Sequence, residues 1–427
     1  MTLSLAVPSF AIAATNDPSQ TSTDGSLDRI KAFREELGLS TDTSYITNLE
    51  SNNALKSSTK KQDWGITLSD DENEDITQRQ DLINQGSLLM KDYLEKYKGT
   101  LGGIYFDHHK EGGVLNIGVV NSTKRERFIE DVKIKLNNNK RIRFFSVKNS
   151  YDQLVTKQNE ITDYIDKNKN LSGLSTELSI QENKIIIGLP DKDPKIEEYL
   201  NTLFGSEYIS FKLEKRVSKN FDRVFPGTRP LVGGLAIDQG ICSAAFSAKD
   251  FSGNYFYITA GHCAQQNASP VTVKQGADSI GTLYSSGAYN GYWNDSGADV
   301  AAIAISSSNK SYKDYDGNII DDEELFPVYG QIVCLSGRTS GTICGTVSNI
   351  GGTYTDDNNI HLKDQVFYTV TGAMGDSGGL VFVKTSQPGH IKALGVLHGA
   401  LGDYGTATKI IAVTNYLHNR IVTALNP

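Results

Sequence analysis

Three residues in the second half of the chain are of the types that together activate a hydroxyl. His262 stands in YFYITAGHCA (255–264), where a run with strand character ends in a small-residue turn. Asp299 heads the apolar run of SGADVAAIAI (296–305), which reads as a buried strand. Ser377 sits in the glycine-rich turn of GAMGDSGGLVFV (372–383), just before another apolar strand. A serine hydroxyl is a weak nucleophile at neutral pH unless a neutral imidazole takes its proton. The imidazole needs one tautomer and one orientation, which a buried carboxylate fixes. In the order His, Asp, Ser the three read as a triad: His262 is general base and then general acid, Asp299 orients it, and Ser377 attacks. Asp295 competes for the middle place, but Asn294-Asp295-Ser296-Gly297 reads as an exposed turn.

The glycines beside Ser377 have their own reason. Acyl transfer creates an oxyanion, and backbone N–H groups have to point at it. In Gly375-Asp376-Ser377 the N–H groups of Gly375 and Ser377 can converge as that oxyanion hole, and glycine at 375 permits a turn that a Cβ obstructs.

The elements that hold these residues belong to a part of the chain unlike the rest. The 427 residues exceed what one core usually supports, which argues for more than one domain. Residues 1–225 carry 31 Lys+Arg and 34 Asp+Glu, whereas 226–427 carry only 11 and 16. The glycines divide 13 to 27, and all four cysteines fall in the second part. A charged, helix-permissive part is therefore joined to one rich in Gly, Ser, Thr and Ala, which suits short strands and turns. The net charge of −8 argues against a nucleic-acid footprint, and no apolar run reaches the length of a membrane span. No metal or cofactor is expected.

The stretch MTLSLAVPSFAIAA (1–14) looks like the apolar and cleavage regions of a secretory signal peptide. Residues 15–98 read as a linker and a helical segment. A helix is expected over 27–37, and a long amphipathic one over 72–98 with Asp75 as its cap. Residues 99–225 read as α+β, in two β-hairpin–helix–strand units. The first has a hairpin in GGIYFDHHKEGGVLNIGVV, a helix over 125–136 and a strand over 142–147. After a helix over 151–167, the second has a hairpin in LSIQENKIIIGL, a helix over 194–204 and a strand over 208–213. His108 and His109 read as exposed turn residues and not as metal ligands, because neighbours on a strand face opposite ways. The acidic stretch 314–324 reads as a solvated loop and the tail 416–425 as a short helix.

Residues 231–427 resemble the bacterial secreted serine peptidases of the chymotrypsin clan, specifically the streptogrisin and α-lytic protease group. TAGHC with Cys242 upstream in GICSAAF, VCLSGRTSGTICGTVSNI (333–350) and the Gly-rich approach to GDSGG carry the resemblance. It implies an all-β, trypsin-like domain of two antiparallel β-barrels, and a serine endopeptidase acting through an acyl-enzyme. The sequence alone leaves three pairings of four cysteines open. The resemblance implies Cys242 with Cys263 and Cys334 with Cys344, which suits a secreted, extracellular protein. It also implies that Arg338 pairs with Asp376 and supports the oxyanion loop.

The N-terminal part resembles a pro-region that assists folding and is cut off within the processing region 226–234, near Arg229-Pro230-Leu231. The expected partners are then protein or peptide substrates and the chain's own pro-region, with a monomer left after processing. A latent protease with a retained inhibitory N-terminal domain, and an inactive protease-like binding protein, are the alternatives. The resemblance places the specificity pocket at Thr371, Gly372, Ala373 and Met374 and at His398, Gly399 and Ala400. No acidic residue stands at its base, so cleavage after Lys or Arg is disfavoured and an apolar residue is expected before the scissile bond. His398 stands where the group usually has a serine touching the aspartate, and Ala400 where it has glycine. A histidine there also keeps a glutamate-preferring pocket open.

Overall fold

The computed structural model describes residues 23–54, 64–168, 171, 174–189, 192–213, 230–237, 242–264, 272–275, 278–283, 298–355, 361–417 and 419–423. The expected leader (1–14), Asp295 and the cleavage region up to Arg229 lie outside the described residues.

The N-terminal part opens with α1 (Thr23–Glu36), α2 (Thr43–Ala54) and α3 (Asp70–Tyr93). The cap of α3 is Ser69, not Asp75. Ser69 Oγ accepts the Glu72 N–H while the Glu72 carboxylate accepts the Ser69 N–H, a reciprocal capping box. Asp75 lies a turn further in and forms ion pairs with Arg79 and Arg141.

Both hairpin–helix–strand units are present. The first is β1 (Leu101–Asp107), β2 (Val114–Val120), α4 (Arg125–Lys135) and β3 (Ile142–Val147). After α5 (Tyr151–Lys167), the second is β4 (Ser175–Ser179), β5 (Lys184–Leu189), α6 (Pro194–Phe204) and β6 (Ile209–Leu213). In each unit the hairpin is antiparallel, and the helix carries the chain back so that the last strand runs parallel to the hairpin's second strand.

The C-terminal part is β-rich. It begins with β7 (Ala236–Ile237), β8 (Cys242–Ser243), β9 (Phe246–Asp250), β10 (Tyr255–Thr259), β11 (Thr272–Gln275), β12 (Asp278–Leu283) and β13 (Ala301–Ile305). It continues with β14 (Ile319–Glu323), β15 (Ile332–Gly337), β16 (Gly341–Thr355), β17 (His361–Tyr368), β18 (Leu380–Lys384), β19 (His390–Leu401) and β20 (Tyr404–Lys409). It ends with α7 (Ile410–Leu417) and β21 (Asn419–Ile421). One antiparallel sheet has the order β11-β12-β13-β10-β9-β21. The other runs β15-β18-β19-β20-β17-β16, and β15 also pairs with β16, which closes these six strands into a ring. No described helix is long and apolar enough to cross a membrane.

The two parts share structure. β4 pairs with β16 at Thr176 and Thr353, so the second N-terminal sheet continues the ring's sheet instead of standing alone. The Phe106 N–H donates to Tyr329 O at 2.7 Å, which joins β1 to the C-terminal part. Phe33 of α1 and Leu37 just after it, with Trp64 and Ile66, lie in the same apolar core as Phe246, Ile258 and Leu380.

Three local expectations are corrected. His108 is buried, not exposed, because its Nε2 bonds to Gly330 O at 2.7 Å across the junction of the two parts. The stretch 314–324 is solvated only in part: Asp316 and Asp322 are exposed, but Asp314 and Glu324 are buried, and β14 within it pairs with β19. The final helix comes earlier than 416–425. Ile410 and Val413 bury one face of α7, after which β21 pairs with β9 and Ile421 and Val422 are buried.

Candidate active site

β10 ends at Thr259, and the single 3-10 turn Gly261–Ala264 that follows presents His262. The Cys242–Cys263 disulfide ties that turn to β8. Asp299 comes just before β13, whose first residue pairs with the last of β10 (Ala301 with Thr259). This register brings together two residues that are 37 positions apart.

Asp299 is fully buried. Its Oδ2 accepts from His262 Nδ1 at 2.6 Å, and its Oδ1 accepts the His262 backbone N–H at 3.0 Å. Its own N–H donates to Thr408 Oγ1 at 3.2 Å. His398 Nδ1 bonds to the same Oδ2. Burial pushes the Asp299 carboxyl up, but the charges and hydrogen bonds of the two imidazoles outweigh it and hold the group well below the usual carboxylate range. An ionised carboxylate against Nδ1–H leaves Nε2 of His262 as the proton acceptor.

Ser377 follows a loop whose peptide planes are pinned from behind. Gly375 has φ +96°, and a Cβ there would lie 2.7 Å from Thr339 Oγ1, so the position requires glycine. Thr339 Oγ1 donates to Met374 O at 2.8 Å. In a trans peptide the N–H points opposite to the C=O, so the Gly375 N–H is turned away from Thr339. The Gly379 N–H holds Asp376 O at 2.8 Å, and by the same geometry directs the Ser377 N–H. Ser377 Oγ donates to His398 O at 3.1 Å.

Arg338 and Asp376 are both buried beneath this loop. The Arg338 guanidinium lies against Gly375, where a Cβ would meet Cζ at 3.1 Å. Burial lowers the Arg338 pKa and the Asp376 charge opposes that. The Asp376 carboxylate also accepts the N–H groups of Thr339, Ser340 and Ala373 at 2.7, 3.0 and 2.8 Å. The Asp376 carboxylate is thus held by backbone donors that have no sequence signature, and its charge acts on Arg338. The second disulfide joins Cys334 and Cys344 across β15 and β16, completing the pairing that the resemblance implies.

Of the expected pocket residues, Thr371, Met374 and Ala400 are exposed, and Ala373 and Gly399 are half-buried. Gly372 sits against Leu335 and Leu397, whose side chains a Cβ would meet at 3.0 and 3.1 Å. His398 is half-buried. Its carbonyl faces Ser377, but its ring turns to Asp299 and stands edge-on to His262 and Tyr354, at 5.3 and 6.0 Å between centroids.

Several supporting groups were invisible in the sequence. Ser243 Oγ donates to Gly375 O at 2.8 Å and accepts the Arg338 N–H at 2.9 Å. Its place beside Cys242 was the only clue. Glu36 of α1 reaches across from the N-terminal part and accepts from Thr369 Oγ1 at 2.6 Å and Thr346 Oγ1 at 3.3 Å. Burial pushes its carboxyl up, against those hydrogen bonds.

A buried Asp–His pair and a serine behind a glycine turn are residue types that acyl transfer uses, and a relative of the chain carries the corresponding name. The C-terminal part is a serine-type peptidase, a hydrolase similar to bacterial chymotrypsin-like proteases. Serine protease 2 of Streptomyces fradiae is 29% identical over 184 residues, covering 41% of this chain and 98% of that protein. Among solved structures, Nocardiopsis protease is 25% identical, covering 44% of this chain and 97% of its own, with a TM-score of 0.36. A glutamic acid specific serine protease described as using a histidine triad in substrate binding is also 25% identical, covering 45% and 100%, with a TM-score of 0.37. No family model matches the chain.

Proposed function

We propose that this chain is a secreted serine endopeptidase that cleaves peptide bonds through an acyl-enzyme, with His262, Asp299 and Ser377 as its triad. The observation that carries the reading is the double hold of one buried carboxylate on His262, through Nδ1 and through the backbone N–H. His262 Nε2 takes the Ser377 proton as Oγ attacks the peptide carbonyl, and Asp299 stabilises the imidazolium. The N–H groups of Gly375 and Ser377 receive the oxyanion. The imidazolium then gives its proton to the leaving amine, and water, activated by the same base, releases the acid. Ser377 Oγ rests on His398 O. A substrate N–H that takes this carbonyl frees the hydroxyl to turn toward His262.

The catalytic part is read as two antiparallel β-barrels, with the triad where they meet. Leu335 and Leu397 around Gly372 favour an apolar residue before the scissile bond. A peptide library tests this, and strong cleavage after Lys or Arg would overturn it.

The N-terminal part is a pro-region that assists folding and is removed near 226–234. A β-rich domain full of non-local pairings folds slowly, and the continuation of β16 into β4 offers it a preformed edge. The hold of Glu36 on Thr369 next to the pocket favours a second reading, in which this part also keeps the enzyme latent. Labelling the secreted protein with a serine-directed fluorophosphonate and weighing the product tests the proposals together. Label on a species the size of residues 231–427 supports processing. Label only on the full chain supports retention, and no label on folded protein overturns the triad.

A further inference from the structure

A cavity of about 510 Å³ opens where the two parts of the chain meet. Small-molecule sites span roughly 300–1,000 Å³, so it has the size of one. Met90 of α3, Tyr151 and Val155 of α5 and Leu178 of β4 line it from the N-terminal part. Ile350 of β16 and Ile411 of α7 line it from the C-terminal part, and Leu325-Phe326-Pro327 extend the apolar wall.

At Gly351 the lining turns polar. A Cβ placed there would stand 3.5 Å from Asp364 Oδ1, 3.6 Å from Gln158 Oε1 and 3.9 Å from Lys409 Nζ. A carboxylate, an amide and an ammonium thus converge on a point of the wall that bears no side chain. Lys409 Nζ pairs with Asp364 Oδ1 at 2.5 Å. The two partners are unequally buried, with the lysine side chain 11% exposed and the aspartate 61%. We propose that this cavity binds a single-chain amphiphile with a carboxylate head, its chain against the apolar wall and its head on Lys409, and that the bound molecule bridges the two parts. The inference goes beyond the peptidase reading and does not depend on it.

The sign of the head follows from the unequal burial. An ammonium sunk in the wall needs a counter-charge, whereas a carboxylate at the surface is served by water. A ligand carboxylate can take over Lys409 in a charge-assisted bond and release Asp364 to solvent. A cationic head would compete for Asp364 and leave the sunken ammonium unpaired, which is the costly arrangement. Tyr151 works in the same direction. Burial and the nearby Asp364 charge push its hydroxyl pKa up, so it stays protonated as a donor. The chain of the amphiphile follows from the rest of the lining, where apolar side chains gain by excluding water. Because the walls belong to both parts, the molecule binds the joined form. By reciprocity its binding resists their separation.

The test uses full-length protein carrying Ser377→Ala, which keeps the chain intact. Decanoate below its micelle concentration is the probe, and decyltrimethylammonium is the cationic control of equal chain length. Titration calorimetry should find one decanoate per chain, bound about tenfold or more tightly than the control. The midpoint of thermal unfolding should rise with decanoate concentration. Gly351→Leu puts a side chain at the point of convergence, where its Cβ meets its neighbours at ordinary contact distances. It should weaken decanoate about tenfold or more while unfolding near the parent's temperature without ligand. Lys409→Met keeps an apolar stem and should abolish the preference for the anion. No saturable binding to the parent overturns the proposal. So does decanoate binding to Gly351→Leu as tightly as to the parent, which places the probe elsewhere. Equal affinity for anion and cation overturns it too, as does a falling unfolding midpoint, the mark of detergent action. Lys409→Met alone decides the matter if Gly351→Leu does not fold. Binding is read without the nucleophile, so its failure leaves the peptidase reading intact, and an unlabelled Ser377 leaves this inference intact.

Discussion

His262 reaches Asp299 twice, so ring position and tautomer are set by the same buried group. Asp299→Asn keeps the shape but places an amide N–H where an acceptor is needed, and the imidazole loses its working tautomer. We expect kcat to fall about 10⁴-fold with little change in KM, measured on a cleaved peptide. Gly375→Ala acts on the other side of the chemistry. A Cβ 2.7 Å from Thr339 Oγ1, at φ +96°, forces the loop to shift and takes an oxyanion donor out of line. We expect kcat to fall about 10²- to 10³-fold; an unchanged kcat would show that the Gly375 N–H does not reach the oxyanion. The Asp299–His262 contact and the need for glycine at 375 were legible in the sequence because residue type and local pattern announce them. Ser243, Thr339 and Thr408 were not, since a hydroxyl acquires its role only from where the fold brings it.

Strand register and helix caps explain which elements could be read and which could not. The two hairpin–helix–strand units were legible because each is built from contacts close in sequence, with Asn183 at φ 53° in the second hairpin's turn. The cap of α3 was misplaced because the chain offers acidic residues at 70, 71, 72, 74 and 75, and only the Ser69–Glu72 spacing closes a capping box. The pairing of β4 with β16 was not legible, as it joins Thr176 to Thr353, far apart in the sequence. That pairing is testable at the element scale. Thr176→Pro removes a strand N–H and distorts β4 at the contact. If the N-terminal part assists folding through this edge, the variant should yield several-fold less labelled serine per mass of secreted protein, with kcat per labelled serine unchanged. Equal yield would mean that the edge contributes nothing to folding.

The two parts of the molecule meet over buried titratable groups, so their union depends on pH. His108 of the N-terminal part bonds through Nε2 to Gly330 O of the C-terminal part, and its Nδ1 is buried with no hydrogen-bond partner among the described residues. Burial, with the nearby Arg79 charge adding to it and the Gly330 bond opposing, lowers its pKa from 6.5 to about 4. An unfolded chain binds this proton as pH falls through 6.5, whereas the folded one refuses it until about pH 4. Stability is therefore whole above pH 6.5 and is lost on the way down to 4, by up to about 3 kcal/mol. Glu36 and Glu324, raised by burial, and Asp314, raised to about 6, act with the opposite sign: they hold protons longer when folded and lose stability as pH rises. The total is a contest of signs, so the measurement isolates one side of it. In full-length protein carrying Ser377→Ala to prevent self-cleavage, His108→Gln keeps a donor for Gly330 O but cannot titrate. Thermal unfolding of the two proteins should differ by a constant amount above pH 6.5, and the His108 protein should lose ground steadily as the pH is lowered toward 4. Parallel curves across that window would mean that His108 is not buried at the junction. A converging pair would make acidification a means of loosening the N-terminal part from the protease it covers.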